Sequence, residues 1–239
     1  MSYRGSHLGL DILTLDAGAT HVVNAPPHEE TVVVLLAGRV EFDGSPAYRD
    51  SVFDTRASAA YVPPGSRVAV DAIASAEVAV VTTVGCELTS ETDDVVIVTP
   101  DAVVVHERGR PGWQRKVHDV VADNVDAQRL IVGETFNEPG QWSSFPPHKH
   151  DGGDGEPALE EVYYFRFDAP DGFGFQGLYE ADGSERAVFL RHGTIVGIPR
   201  GYHPVCAAPG YRLYYLWALV GAPRRLTMHE DPAHTWLSQ

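Results

Sequence analysis

Hydrophobic positions along the chain come in short runs rather than at helical spacing. Thr31 to Leu36, Ala60 to Val62, Val68 to Val70, Glu77 to Val84, Val95 to Val98, Val103 to His106, Leu130 to Glu134, Glu161 to Phe167, Gly174 to Tyr179, Thr194 to Ile198 and Arg212 to Leu219 are each three to eight residues long and rich in Val, Ile, Tyr or Phe. Gly and Pro clusters separate them. Runs of this length and composition read as β-strands. No long segment carries apolar residues three and four apart, so the expected class is all-β, a sandwich or barrel with little helix.

The order of these parts repeats. PPHEETVVVLL, Pro26 to Leu36, aligns with Pro146, Pro147 and His148 and then, past an inserted loop, with Glu160, Glu161 and VYYF. Further on, Val62 to Arg67 aligns with Ile198 to His203. The offsets are 131 between Glu30 and Glu161 and 136 between Arg67 and His203, which two copies with small insertions would give. Internal repetition of this kind predicts two β-barrels. The expected division is residues 1–100 and 101–239.

With 239 residues, 44% of them hydrophobic, the chain is large enough to bury substantial cores. Its formal charge of −15 argues against nucleic acid or an anionic membrane surface as partner, because either would favour a basic patch. There is no run of about 18 apolar residues, and the first residues lack the pattern of a secretory signal, so a cytoplasmic location is expected. Cys86 and Cys206 are the two cysteines and form no C-x-x-C pair. They are expected to be reduced and structural.

The chemistry concentrates in Trp142 to Phe167, WSSFPPHKHDGGDGEPALEEVYYFRF. In an extended backbone His148 and His150 share one face while Lys149 points the other way. Two imidazoles on one face can share an ion. Glu161 opens the next strand on the same face as Tyr163 and Phe165 and can reach back to that ion. A bare His-x-His is more often a pair of solvated histidines on a surface strand, so the other pieces carry the weight. One of them is GTIVGIPRGYH, Gly193 to His203, in which a short apolar strand runs through a Gly201 turn into His203. Three imidazoles and a carboxylate without sulfur suit Zn, and also Mn, Fe or Ni, with positions left for substrate or water. The first copy retains His28 and Glu30 but carries Arg67 opposite His203. A cation there repels a metal, so the second half alone is expected to bind one.

These two motifs, with Gly140 ahead of the first histidine, resemble the cupin motifs, although cupins usually have one more residue before the last histidine. GETFNEPGQWSSFPPHKHD, LEEVYYFRF, GFGFQGLY, IPRGYHPVCAAPGYRLYYL and DPAHTW resemble the 5-deoxy-glucuronate isomerase family of myo-inositol catabolism. RDSVFDTRASAAYVPPGS and HERGRPGWQRKVH extend the likeness into the first half. The resemblance implies a bicupin, a divalent metal on His148, His150, Glu161 and His203, and conversion of an aldehydic deoxy sugar acid to its keto isomer. The chain is also similar to the uronate ketol-isomerases of pectin breakdown, which share that ligand set. Trp217 and Leu219 depart from the asparagine and methionine usual after LYYL, which bears on the preferred sugar.

Aldose–ketose isomerisation moves a proton between adjacent carbons through an enediolate, whose negative charge a divalent cation stabilises. Glu160, Tyr163, Tyr179 and Tyr202 are the candidate catalytic groups, and a hydride shift would need no strong base. Glu160 alternates away from Glu161 and reads more simply as a solvated or supporting carboxylate. Arg115 is the preferred cation for the substrate carboxylate, before Lys149 and Arg200. Gln176 and Tyr179 are candidates for binding sugar hydroxyls. The expected partners are thus a small sugar acid and, by analogy with related cupins, further copies of the chain. A bicupin dioxygenase would use the same ligands. A sugar sensor would usually add a DNA-binding helical segment, and a structural cupin would not need an intact ligand set.

Overall fold

The computed structural model describes residues 1–87, 94–153 and 155–238. The chain divides into two compact units: Met1–Val104 with His118–Gly133, and Val105–Val117 with Glu134–Gln239. Among the described residues, helix is confined to two short 3-10 turns, Pro100–Ala102 and Thr235–Ser238. No helix is long and apolar enough to cross a membrane.

In the first unit, the fourteen-residue strand Glu29–Phe42 is the spine. Its first half lies between Ala76–Val84 and Ala59–Val62, and its second half pairs with Ser45–Arg49 and Arg67–Ala72. The strand changes partners at a register shift between Leu35 and Ala37, a bulge that bends it. Gly38 makes the bend possible, since its φ is +101° and a Cβ there would lie 2.3 Å from the Ser75 carbonyl oxygen. Val33, Leu35, Val40, Phe42, Val68, Val70 and Val78 pack in the core between these strands.

In the second unit, Leu159–Phe167 is the central strand. It pairs along its whole length with Leu213–Gly221 and on its other side with Ile195–Ile198. Leu213–Gly221 is buried at every position, which is why LYYLWALVG carries no polar alternation. A second sheet runs in the order Trp142–Ser143, Val205–Ala207, Phe173–Tyr179, Glu185–Arg191. A two-stranded ribbon joins His148–Lys149 to His229–Glu230.

The expected strands in the apolar runs are present, and several more were not foreseen: Leu8–Leu15, Thr20–Asn24, Ser45–Arg49, Arg115–Val121 and Glu185–Arg191. Glu185–Arg191 is mostly exposed and is held by pairing with Phe173–Tyr179 rather than by burial, so its residues carry little hydrophobic signal.

The internal repeat differs from the sequence alignment by one residue of register. Glu161 pairs with Ile198, but Thr31, not Glu30, pairs with Val62. A one-residue slip sends a side chain to the opposite face of the sheet. Glu30 is accordingly turned away from the position Glu161 holds in its own unit. Fully buried, it accepts the Tyr61 hydroxyl at 2.8 Å and the backbone N–H groups of Gln128, Arg129 and Leu130. His28 is exposed with its Nδ1 3.0 Å from the Cys86 carbonyl, and Arg67 is exposed as well.

Candidate metal centre

The second unit brings His148, His150 and His203 together. One ring nitrogen from each lies within 4.8 Å of the others, and all three side chains are buried. His148 sits on the ribbon strand, His150 one step beyond it, and His203 follows the turn at Gly201. Glu161, on the central strand, reaches the group from one side, its Oε2 3.3 Å from His203 Nε2.

Each imidazole is oriented by a backbone carbonyl at Nδ1: Pro146 at 3.3 Å for His148, Thr227 at 3.1 Å for His150, and Gly201 at 2.9 Å for His203. An Nδ1–H donated to a carbonyl leaves the Nε2 lone pair free, which is the usual way a protein presents a histidine to a metal. Burial lowers the pKa of all three, to about 3 for His203, and the neighbouring imidazoles lower His148 and His203 further. Their rings are therefore neutral at neutral pH, as ligands must be. Burial pushes Glu161 up to about 8, partly offset by the Tyr163 hydroxyl. His203 Nε2 and Glu161 Oε2 are buried without a hydrogen-bond partner. Facing each other, this carboxyl and imidazole can share a proton or a metal ion, and a cation between them satisfies both. The donor set fits a divalent ion.

The loops that carry the ligands are tied to each other. Asp151 Oδ1 accepts the Gly201 N–H at 2.9 Å, joining the turn before His203 to the residue after His150. Tyr179 and Tyr202 exchange backbone hydrogen bonds, and their rings stack with centroids 5.0 Å apart.

Other expected site residues separate into two groups. Tyr163 is buried beside the cluster, its ring centroid 5.9 Å from that of His203 and its hydroxyl 3.1 Å from Ser144 Oγ. Arg115 lies near enough for its charge to depress His148 and to act on Tyr163 and Tyr215. Its Nη1 donates to the carbonyls of Trp113 and Phe145, while Nε and Nη2 have no hydrogen-bond partner among the described residues. Gln176 is fully buried, and neither its amide oxygen nor its nitrogen is hydrogen-bonded.

Four residues point elsewhere. Glu160 alternates with Glu161 and so faces the opposite side of the strand. Lys149 donates to Glu156, on the face away from the imidazoles. The Tyr179 hydroxyl is taken by Asp231 Oδ2 at 2.6 Å. Tyr202 alternates with His203 and is stacked on Tyr179.

Sequence reasoning missed Ser144, Tyr215, Asp151, Thr227 and Asp231. Ser144 and Tyr215 join the hydroxyls around Tyr163: Tyr215 donates to Ser143 at 2.9 Å, and its ring lies 4.6 Å from that of Tyr163. Ser144 has a φ of +47°, uncommon for a side-chain-bearing residue outside Asn and Asp, which marks it as a position held by its surroundings. The doublet in WSSF was the available signal.

The sequence model of the KduI/IolB family matches residues 2–237. A 5-deoxy-glucuronate isomerase of Geobacillus kaustophilus (strain HTA426) is 33% identical, over 98% of this chain and 86% of its own length. The enzyme of that name from Bacillus subtilis (strain 168) is 29% identical over 97% of this chain and 88% of its own. The crystal structure of an IolB-like protein from Salmonella typhimurium LT2 matches with a TM-score of 0.88 and 32% identity, covering 98% of this chain and 90% of that one. Bacillus subtilis oxalate decarboxylase matches with a TM-score of 0.62 and 15% identity over 94% of this chain and 71% of its own, a likeness of fold alone. The architecture is that of a bicupin, and the chain belongs to the KduI/IolB family.

Proposed function

We propose that the chain is a metal-dependent aldose–ketose isomerase that converts 5-deoxy-glucuronate to 5-dehydro-2-deoxy-gluconate in myo-inositol catabolism. The observation that carries this reading is the convergence of three carbonyl-oriented imidazoles on the buried Glu161 carboxyl, in a chain about one-third identical to a 5-deoxy-glucuronate isomerase. His148, His150, Glu161 and His203 hold one divalent ion in this reading, zinc on the basis of the donor set, with Mn, Fe and Ni as the alternatives. When bound, the ion stabilises the negative charge that develops on the sugar oxygens.

Residues of the chain supply the rest. Arg115 offers Nε and Nη2 to the substrate carboxylate, a paired geometry that lysine lacks. The guanidinium is half-buried, which strengthens its pull on an anion. Tyr163, bridged to Ser144, is the hydroxyl best set to pass a proton from the substrate hydroxyl oxygen to the carbonyl oxygen while one hydrogen moves from the neighbouring carbon to the carbonyl carbon. The unpartnered Gln176 amide has both a donor and an acceptor to offer a sugar hydroxyl. Glu160 and Tyr202, turned away from the imidazoles, are less well suited.

The test is turnover of metal-reconstituted protein with 5-deoxy-glucuronate, following loss of the aldehyde and appearance of the ketone beside a chelator-treated control. Metal-dependent conversion is expected. Absence of conversion by folded, metal-loaded protein would reject the substrate. Trp217 favours a second reading within the same reaction class. It is buried in register with Tyr163 and donates to Thr135 at 3.1 Å, where the family resemblance leads one to expect an asparagine. Another uronate belongs in the same assay, and preference for it would move the substrate assignment without touching the isomerase chemistry.

A further inference from the structure

The segment that follows the last core strand crosses the ligand loop and touches it at several points. The Thr227 carbonyl orients the His150 imidazole at 3.1 Å. His229–Glu230 pairs with His148–Lys149, with Glu230 opposite His148. The Asp231 N–H donates to the Pro147 carbonyl at 2.8 Å. The segment therefore acts on both histidines of the His-x-His pair without supplying a ligand.

Asp231 fixes the crossing. Its Oδ2 accepts the Tyr179 hydroxyl at 2.6 Å, tying the segment to the second sheet, and its Oδ1 accepts the Ala233 N–H at 2.9 Å, closing the turn that follows. Tyr179 is in turn clamped to Tyr202, next to His203, by paired backbone hydrogen bonds. One carboxylate thus stands between the loop carrying His148 and His150 and the loop carrying His203.

We propose that Asp231 and Tyr179 form a positioning pair for the metal centre, setting the affinity of the ion by holding the 227–231 segment against the His-x-His loop. This rests on reading the three imidazoles as a metal site. Neither residue belongs to the cluster of imidazoles. They act by fixing the Thr227 carbonyl and the Pro147–His150 backbone, and so the direction in which the His150 and His148 lone pairs point. Groups that orient metal-bound histidines commonly change affinity by about 10–100-fold when removed.

Co2+ is a suitable probe because its visible spectrum reports ligand geometry as well as occupancy. Titrating Co2+ into the parent, Asp231→Ala, Asp231→Asn, Tyr179→Phe and the Asp231→Ala/Tyr179→Phe double variant separates positioning from general destabilisation. Asp231→Ala and Tyr179→Phe are each expected to weaken Co2+ binding by about 10-fold or more and to alter the ligand-field bands. The double variant should lose no more than the worse single, as two members of one contact do. Asp231→Asn, which keeps oxygen as acceptor, should recover most of the affinity. Circular dichroism and thermal melts establish that each variant is folded. Should Asp231→Ala fail to fold, Tyr179→Phe, which removes a single oxygen atom, still decides the matter. Affinity within twofold of the parent in folded variants would overturn the positioning pair while leaving the metal centre intact. Absence of Co2+ binding by the parent would overturn both.

Discussion

Glu30 and Glu161 are both buried carboxyls near the start of a long core strand, yet their surroundings assign them opposite work. Glu161 Oε2 has no hydrogen-bond partner, whereas Glu30 is surrounded by the Tyr61 hydroxyl and three backbone N–H groups. Replacing Glu30 by Ala strands those donors in the interior. A loss of about 3–5 kcal/mol of stability in urea denaturation is expected, the scale of a broken buried polar cluster. The residue types that could bind a metal were legible in the sequence, because imidazole and carboxyl groups are rare in apolar runs. What orients them was not. Thr227 and Pro146 act through carbonyl oxygens that every residue possesses, and only the folded path of the chain decides which carbonyl meets which ring.

At the level of elements, the turn before His203 shows how backbone freedom positions a side chain. Gly201 has a φ of +88°, and a Cβ there would lie 2.8 Å from the Tyr179 carbonyl oxygen. Gly201→Ala is expected to cost about 1–3 kcal/mol, read as a lowered Tm, and to weaken metal binding by displacing His203. Unchanged melting and unchanged Co2+ affinity would show that the turn tolerates a side chain. The central strands were readable for the reason that they are buried on both faces: VYYF and LYYLWALV have no polar alternation to obscure them. Glu185–Arg191 and Thr20–Asn24 were not, since their place in a sheet comes from a partner's hydrogen bonds and their side chains mostly face solvent.

Across the whole molecule, the two units share a plan but not a metal site. Among the described residues, the one cluster with metal-binding geometry lies in the second unit. Metal analysis of reconstituted protein should give one equivalent per chain, and His203→Ala should abolish it; two equivalents in the parent would assign a site to the first unit as well. The duplication itself could be read from PPHEE and PPHKH, but its register could not. Glutamates aligned by sequence looked equivalent, and only strand pairing reveals that Thr31 occupies the place matching Glu161. That offset bears on how the first unit could be converted into a second metal centre. Histidines grafted around Glu30 would surround a carboxylate already committed to peptide N–H groups and facing the wrong side of the sheet. A graft would begin at Thr31, with the turn after Val62 rebuilt to bring an imidazole where Arg67 now reaches solvent, and Glu30 would be left untouched to hold the scaffold together.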